Sequence, residues 1–258
     1  SSQVHMGGAP GAFLVDVKVL TDSGGTNSQN SLNGIQWMIN NKDTDWGNGA
    51  KGIQIGQMSF GSIGNPLSPD DSGDNGTGAE SRLVNNATYD HGIACIVAAG
   101  NDGKRRIASP GSADGAITIG SADNSDSINR TDDFMASYSN TGPRDSDNDD
   151  DDWDELKPDI TAYGSGIYSA SAATGTSLPG SPRPMADNSY ESKDGTSMAT
   201  PLVSGVVALM LQAESDLTPM EIKDILRNSS ELKGSPSESG VSDRWNDEWG
   251  FGLLDASC

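Results

Sequence analysis

Apolar and polar positions along this chain of 258 residues follow two alternating patterns. Short apolar runs predict buried strands at 12–20, 51–61, 92–100 and 115–123. In other segments the apolar residues recur at every third or fourth position, which predicts helices at 30–40, 79–91, 202–214 and 218–230. Strands that alternate with helices are typical of an α/β protein with a mainly parallel, doubly wound sheet.

Two polar segments interrupt this alternation, 62–78 and 144–155, and both predict long surface loops. Neither reads as a linker and the chain has no internal repeat, so we treat residues 1–258 as one domain. The boundary of the last helix is the clearest. Thr218 has the character of an N-cap, and Pro219 follows it in the first turn.

The charge balance limits the partners. Sixteen Lys and Arg residues face 37 Asp and Glu residues, a net charge of −21. We therefore expect neither nucleic-acid binding nor attachment to an anionic membrane, because phosphate surfaces repel such a chain. No segment approaches the length of a membrane-spanning helix, and the two cysteines, Cys95 and Cys258, do not make a disulfide framework.

Two polar residues stand where a parallel sheet collects its chemistry, at the carboxyl ends of strands. Asn101 follows the apolar run 92–100, and Ser197 lies at the start of a buried helix. Backbone N–H groups at a helix start stabilise negative charge, and a side-chain amide beside them completes an oxyanion hole. Taken singly, Asn101 is explained as a turn residue and Ser197 as a helix cap.

Their sequence contexts make the chemical reading the stronger one. The segment GTSMATP (195–201) resembles the active-site serine motif of the subtilisin-like serine proteases, or subtilases. The segments VAAGNDG (97–103), QMSFGS (57–62), KPDITAYGSGI (157–167) and WGFGLLDA (249–256) resemble further subtilase segments in the same order. The resemblance covers nearly the whole chain. It implies a three-layer subtilisin-like fold whose N-terminal part is missing, so that residues 1–258 form a partial catalytic domain.

The resemblance also implies roles for individual residues. Ser197 is the expected nucleophile, and Asn101 with the Ser197 backbone N–H is the expected oxyanion hole. One wall of the pocket for the substrate residue before the cleaved bond is expected from Ser59, Phe60 and Gly61, and the other wall from Ala98, Ala99 and Gly100. The backbone of Gly24, Gly25 and Thr26 is expected to pair with the substrate peptide. Polypeptides are then the substrates, and secretion is implied by the family.

The general base is harder to place. The chain has two histidines, and neither His5 nor His91 lies in the family's histidine motif. Asp16 is not in the motif of the family's aspartate either. Three explanations stay open: a fragment of a normal subtilase, which we favour, one chain of a nicked enzyme, or a non-catalytic relative that acts as a binding module. In the first two, a preceding segment supplies Asp and His, and this chain alone is inactive.

No cofactor is expected for catalysis, but structural calcium is. Asp159 resembles an aspartate that binds a cation in some subtilases, together with backbone carbonyls near 114–116. The acidic run at 145–152 is rich in oxygen ligands of the kind that Ca²⁺ prefers. It lacks the glycine and the closing glutamate of an EF-hand, so a solvated loop is the better interpretation. An acidic calcium-binding surface domain is the alternative function.

Overall fold

The computed structural model describes residues 6–21, 24–25, 27–47, 49–62, 73–170 and 190–256. Four helices lie in these ranges: α1 (Ser28–Asn40), α2 (Ala79–Tyr89), α3 (Thr196–Ala213) and α4 (Pro219–Ser229). The strands are β1 (Ile55–Met58), β2 (Ala94–Ala98), β3 (Ile117–Asp123), β4 (Phe134–Met135), β5 (Ile160–Tyr163), β6 (Ile167–Ala170) and β7 (Tyr190–Lys193).

One mainly parallel sheet organises the fold. Strands β1, β2, β3 and β5 run parallel in that order, and β4 adds a short antiparallel pair to the end of β3. Strands β6 and β7 form a separate antiparallel pair. Because β1 and β2 are parallel neighbours, the residues that follow Met58 and Ala98 meet at one edge of the sheet.

Helices cover both faces of the sheet, which gives three layers. Successive side chains of a strand point to opposite faces. Ala94 and Ile96 of β2 accordingly pack in the core beneath α3 and α4. Cys95 and Val97 pack in the second core, against α1 and α2. The burial of Cys95 raises the pKa of its thiol to about 12. With helices on both faces of a mainly parallel sheet, the predicted α/β class is confirmed.

The helix boundaries follow local chemistry. Thr218 caps α4 as predicted, in a reciprocal capping box in which its side chain accepts from the Glu221 N–H and Glu221 accepts from the Thr218 N–H. Helix α3 begins at Thr196, six residues earlier than the prediction. Its apolar periodicity starts only at Leu202, because Pro201 and small residues fill the first turns.

The strand predicted at 12–20 is absent from the structure, where residues 12–19 form neither helix nor strand. Phe13 and Leu14 are 60% and 94% exposed. A run of apolar residues becomes a strand only when it joins a ladder, and the described sheet ends at β1 on this side. The strand predicted at 51–61 is also shorter than expected, since its flanks form turns and bridges.

The expectation that no segment reaches the length of a membrane-spanning helix is wrong for α3. Its 18 residues are long and apolar enough to span a membrane by length and composition. Instead, it packs across β1, β2, β3 and β5 as a core helix. Only 28% of that stretch is buried, and Leu209 is 44% exposed, so one side of the helix is open in the described part of the chain.

Candidate active site

A pocket of about 210 Å³ opens at the carboxyl ends of β1 and β2. Its volume suits one side chain rather than a whole small molecule. Most of the residues predicted for the site line it, together with three further residues: Ser59, Phe60, Gly61, Ala98, Gly100, Asn101, Asp102, Ala108, Thr196 and Ser197. The structure therefore brings together segments that lie up to 138 residues apart in the sequence.

Ser197 is held at the start of α3 by an arrangement that depends on a proline. In a regular helix its carbonyl would accept from the N–H of residue 201, but Pro201 has no N–H. The hydroxyl of Ser59 donates to this carbonyl instead, at 2.9 Å. The Ser197 hydroxyl in turn donates to the carbonyl oxygen of Ser59, at 3.3 Å. Ser197 and the pocket wall thus position each other.

The amide of Asn101 has a defined orientation. Its Oδ1 accepts from both the backbone N–H and the hydroxyl of Thr196, each at 2.8 Å. Since the oxygen is engaged there, the Nδ2 group is the part of the amide that is left to donate. The amide is therefore oriented to serve as a hydrogen-bond donor rather than as an acceptor.

A second donor converges with this amide. In the first turn of α3, the N–H of Thr196 goes to Asn101, and those of Met198 and Ala199 go to the Gly195 carbonyl, so the Ser197 N–H is the one left. A Cβ placed on Gly195 would lie 3.5 Å from both Asn101 Nδ2 and Ser197 N. Two donor nitrogens within 3.5 Å of one point at a helix N-terminus are the arrangement that stabilises a developing oxyanion.

The other pocket wall requires a glycine. Gly100 has φ +120°, and a Cβ there would collide with Nδ2 of Asn140. Asn140 ties this corner together, because its Oδ1 accepts from the Asp102 N–H at 3.0 Å. Ala99, predicted as a wall residue, is buried behind the surface, where its N–H and carbonyl bind Ile119 and Ala108.

Among the described residues, no side chain that could act as a general base contacts the Ser197 hydroxyl. The recorded partner of the Ser197 hydroxyl is the Ser59 carbonyl, which cannot take a proton. His91 is half-buried just past the end of α2, at the amino end of β2. Ala94–Ala98 separates it from the site by about 13 Å of strand. His5 lies outside the described residues.

The remaining predicted peptide-binding residues lie in a turn. Gly24 has φ +80°, and the turn is closed by hydrogen bonds from Gly24 N–H to Thr21 and from Thr21 N–H to Gly25. Gly24 and Gly25 are exposed and are not among the described residues that line the pocket. Thr26 lies outside the described residues.

Sequence reasoning missed Asp102 as a lining residue and Thr196 as the residue that orients Asn101. Asp102 is one of the lining residues, and the guanidinium of Arg106 forms an ion pair with its carboxylate. The Asn-Asp-Gly sequence reads as a turn, so only the fold reveals that its aspartate faces the pocket. Ala108 is a further lining residue, and its small side chain leaves the pocket open.

The metal expected at Asp159 does not fit the residues around it. The carboxylate is fully buried and binds Arg227 through two nitrogens at 2.6 and 2.9 Å, and Lys157 at 3.1 Å. The nearby carbonyls of Asp114 and Ala116 accept from lysine ammonium groups at 2.6 Å each. Side chains of the protein therefore occupy the oxygen atoms at which the resemblance predicted a metal ion.

The acidic loop shows a similar arrangement. Asp114, Asp147 and Asp154 come close enough to share a cation. Nη2 of the buried Arg144 lies among them, at 3.1, 3.2 and 2.8 Å. Burial raises the pKa of Asp154 to about 6, against the effect of Arg144 and with a contribution from the two other carboxylates. The cluster therefore holds a guanidinium, and at acid pH a proton, between its oxygen atoms.

Comparison with known proteins identifies the family. The profile of the subtilase family matches residues 1–252. The chain belongs to the subtilase family. Serine protease AprX of Bacillus subtilis is 34% identical over 267 aligned positions, which cover 99% of this chain and 53% of that protein. Alkaline elastase YaB of a Bacillus species is 29% identical and is matched over 91% of this chain and 47% of its own length.

A solved structure agrees with the subtilase fold. The crystal structure of a cold adapted subtilisin-like serine proteinase superposes with a TM-score of 0.58 at 26% identity. The match covers 92% of this chain and 66% of that one. The chain therefore spans about half the length of the first two curated relatives and two thirds of the structural neighbour.

Proposed function

We propose that the full-length protein is a subtilisin-type serine endopeptidase that cleaves peptide bonds through an acyl-enzyme on Ser197. The observation that carries the proposal is the convergence of Asn101 Nδ2 and Ser197 N–H on one point beside the serine. A helix cap or a turn residue alone does not require that geometry. A subtilase in which those donors lie beside a pocket of one side chain's volume is suited to acyl transfer.

The chemistry follows from these positions. Ser197 Oγ attacks the scissile carbonyl carbon, and its proton passes to a base. The carbonyl oxygen gains the negative charge and receives hydrogen bonds from the two donors. The base then protonates the leaving amine as the C–N bond breaks. Water then attacks the acyl-enzyme ester through the same steps, with the base taking its proton and returning it to Ser197 Oγ as the carboxylic acid leaves.

The base and the aspartate that orients it come, in this proposal, from a segment outside residues 1–258. In the described residues, the Ser197 hydroxyl donates only to a carbonyl oxygen, and His91 is at the wrong end of β2. The open side of α3 and the exposed residues Phe13 and Leu14 are surfaces that such a segment can cover. Residues 1–258 alone, as a partial catalytic domain, are then inactive.

The substrate is an extended polypeptide, and the pocket takes an apolar side chain before the cleaved bond. Phe60, Ala98 and Ala108 supply apolar lining. Asp102 is already paired with Arg106, so it does not offer an unneutralised carboxylate to a basic side chain. We further propose, from the family, that the protein acts outside the cell. Catalysis by this site needs no cofactor.

A non-catalytic binding module is the second candidate, favoured by the absence of a base near Ser197 in the described part of the chain. Hydrolysis of casein separates the two. The full-length protein should degrade casein, and the full-length Ser197→Ala variant should lose about a millionfold in turnover. Residues 1–258 alone should be inactive. A folded full-length protein that binds casein without cleaving it would support the binding module.

A further inference from the structure

Hard oxygen atoms converge at the edge of the sheet opposite to Ser197. Asp159 precedes β5, and residues 114–116 precede β3, its parallel neighbour. The Thr118 N–H donates to the Asp159 carboxylate at 2.6 Å and fixes its orientation. One carboxylate and two backbone carbonyls gathered in this way are ligands of the kind that bind calcium.

Lys223 fills this group of oxygens with its own charge. Its Nζ lies 2.6 Å from the Asp114 carbonyl, 3.0 Å from the Ala116 carbonyl and 3.4 Å from Asp159 Oδ1. An ammonium group has three N–H donors, and here it meets three oxygen acceptors. The ammonium group thus makes the contacts that a bound cation would make.

Two further cations complete the cluster. Lys157 donates to the Ala116 carbonyl at 2.6 Å and to Asp159 at 3.1 Å. Arg227 follows Lys223 by one helical turn on α4, so both reach the same carboxylate from one helix face. All four side chains are at least 95% buried.

The charges oppose the entry of a metal. Burial alone would raise the pKa of Asp159, but Lys157, Lys223 and Arg227 outweigh it and hold that pKa well below its usual range. Burial lowers the pKa of Lys157 and that of Lys223, and Asp159 opposes this shift. The charge of the two lysines is therefore assigned from geometry, since both nitrogens donate to carbonyl or carboxylate oxygens at short distance. With both ammonium groups in place, a divalent cation at this carboxylate would face three cations at short range in a medium of low dielectric constant. It could bind only if an ammonium group left the cluster.

We propose that Lys223 and Lys157 form a built-in cation site that replaces a structural metal ion and makes this part of the fold independent of calcium. The tethered cations tie α4 to the starts of β3 and β5 without an equilibrium with free metal. Helix α4 then stays attached to the sheet when calcium is removed.

Thermal melting of the full-length protein tests the proposal at constant ionic strength, with excess CaCl₂ or with a chelator. The wild type, Lys223→Met and Lys42→Met are compared. Lys42 is partly exposed and pairs with Asp43, so it serves as the control for loss of one positive charge. Calcium bound elsewhere shifts all three proteins alike.

The expected result is a calcium-induced rise in Tm that is about 5 °C or more larger in Lys223→Met than in the other two. Removing Nζ frees the Asp114 carbonyl and the place that Nζ held beside the Ala116 carbonyl and Asp159 Oδ1, while Lys157 and Arg227 keep their own contacts with those two oxygen groups. Equal calcium effects in all three proteins would contradict the proposal, because they would mean that Lys223 does not hold a cation position.

The unaltered protein provides a second measurement, which decides the question if Lys223→Met does not fold. NMR of ¹⁵N-lysine-labelled protein should show slowly exchanging ammonium signals from Lys157 and Lys223 that calcium leaves unchanged. Calcium-induced shifts or loss of those two signals would mean that a metal displaces the lysines, and the proposal would be wrong.

Discussion

Thr196 and Asn101 lie 95 residues apart in the sequence and are joined by two hydrogen bonds of 2.8 Å, from the backbone N–H and the hydroxyl of Thr196 to Asn101 Oδ1. This pairing fixes which end of the amide can donate. It also locks the loop after β2 onto the first turn of α3. The proposed oxyanion hole is therefore set before substrate arrives, which is where such a site derives most of its catalytic effect.

Asn101→Asp is expected to separate this orienting role from the donating role. A carboxylate keeps the acceptor for Thr196 but removes the Nδ2 donor and adds negative charge near the oxyanion. We expect kcat of the full-length enzyme to fall by at least about 100–1,000-fold, the loss known for removal of one such donor in subtilisin, with KM changed little. Steady-state peptide hydrolysis measures both constants.

The control for this variant is thermal stability. Asn101→Asp should melt close to the wild type, since the contacts with Thr196 survive. A kcat within tenfold of the wild type would show that Nδ2 is not a donor to the transition state.

The exchange of hydrogen bonds at Ser197 predicts a coupling between Ser59 and Pro201. Ser59→Ala should lower the free energy of unfolding by about 0.5–1.5 kcal/mol, because the Ser197 carbonyl loses its donor. Pro201 is exposed, and Pro201→Ala supplies the N–H that a regular helix would use. In the Pro201→Ala variant, Ser59→Ala should therefore lower the free energy of unfolding by less than it does in the wild type.

Denaturant unfolding of the two single variants and the double variant measures this coupling. Effects that simply add would mean that Ser59 does not compensate for the proline. Ser62→Ala is the matched control, because it also removes a hydroxyl from this segment, one that donates to Glu80 at 3.4 Å and not to Ser197. Its effect should be the same with and without Pro201.

The ion pair of Asp102 and Arg106 predicts a latent preference for basic substrates. Arg106→Gln leaves the Asp102 carboxylate at the pocket unneutralised. We expect kcat/KM for substrates with Lys or Arg before the cleaved bond to rise about tenfold relative to Phe. The double variant Asp102→Asn/Arg106→Gln should lose this gain. Peptide-library profiling decides, and strong basic preference in the wild type would contradict the apolar pocket.

Sequence reasoning reached the parts of the fold that depend on local pattern. The helix pattern, the N-cap at Thr218 and the buried run 92–100 depend on neighbouring residues, and the structure places an element at each. The strand expected at 12–20 was wrong because a strand depends on a partner edge that local pattern does not specify. The start of α3 was missed because small residues and a proline conceal its first turns.

In the candidate site too, local sequence motifs identified some residues, and contacts between distant segments identified the others. Ser197 and Asn101 stand in recognisable motifs, whereas the roles of Thr196 and Asp102 arise only from contacts between distant segments. At Asp159, the resemblance carried over an aspartate but not its surroundings. Lys223 and Arg227 come from α4, more than 60 residues later, and decide what that carboxylate binds.

The acidic cluster around Arg144 predicts a pH dependence of stability. The pKa of Asp154 is raised from 3.8 to about 6, so between these values the folded protein binds more protons than the unfolded chain. This group therefore stabilises the fold at about pH 4 relative to neutral pH, and that contribution is lost as the pH rises through about 6. Asp154→Asn should flatten the change in Tm between pH 4.5 and 7.5.

Asp149→Asn, in an exposed part of the same loop, controls for the loss of one negative charge. It should leave the pH profile parallel to that of the wild type. An identical slope in Asp154→Asn would show that this carboxyl group does not titrate in the expected range.

Covalent labelling of Ser197 by a fluorophosphonate probe tests the central claim most directly, because the probe reacts only with a serine that a base activates and donors surround. Residues 1–258 alone, the full-length protein and its Ser197→Ala variant are compared, and the label is located by peptide mass spectrometry. We predict rapid labelling of the full-length protein on Ser197 alone, and none in the other two samples. Failure of the folded full-length protein to react, or labelling that persists in Ser197→Ala, would contradict the account.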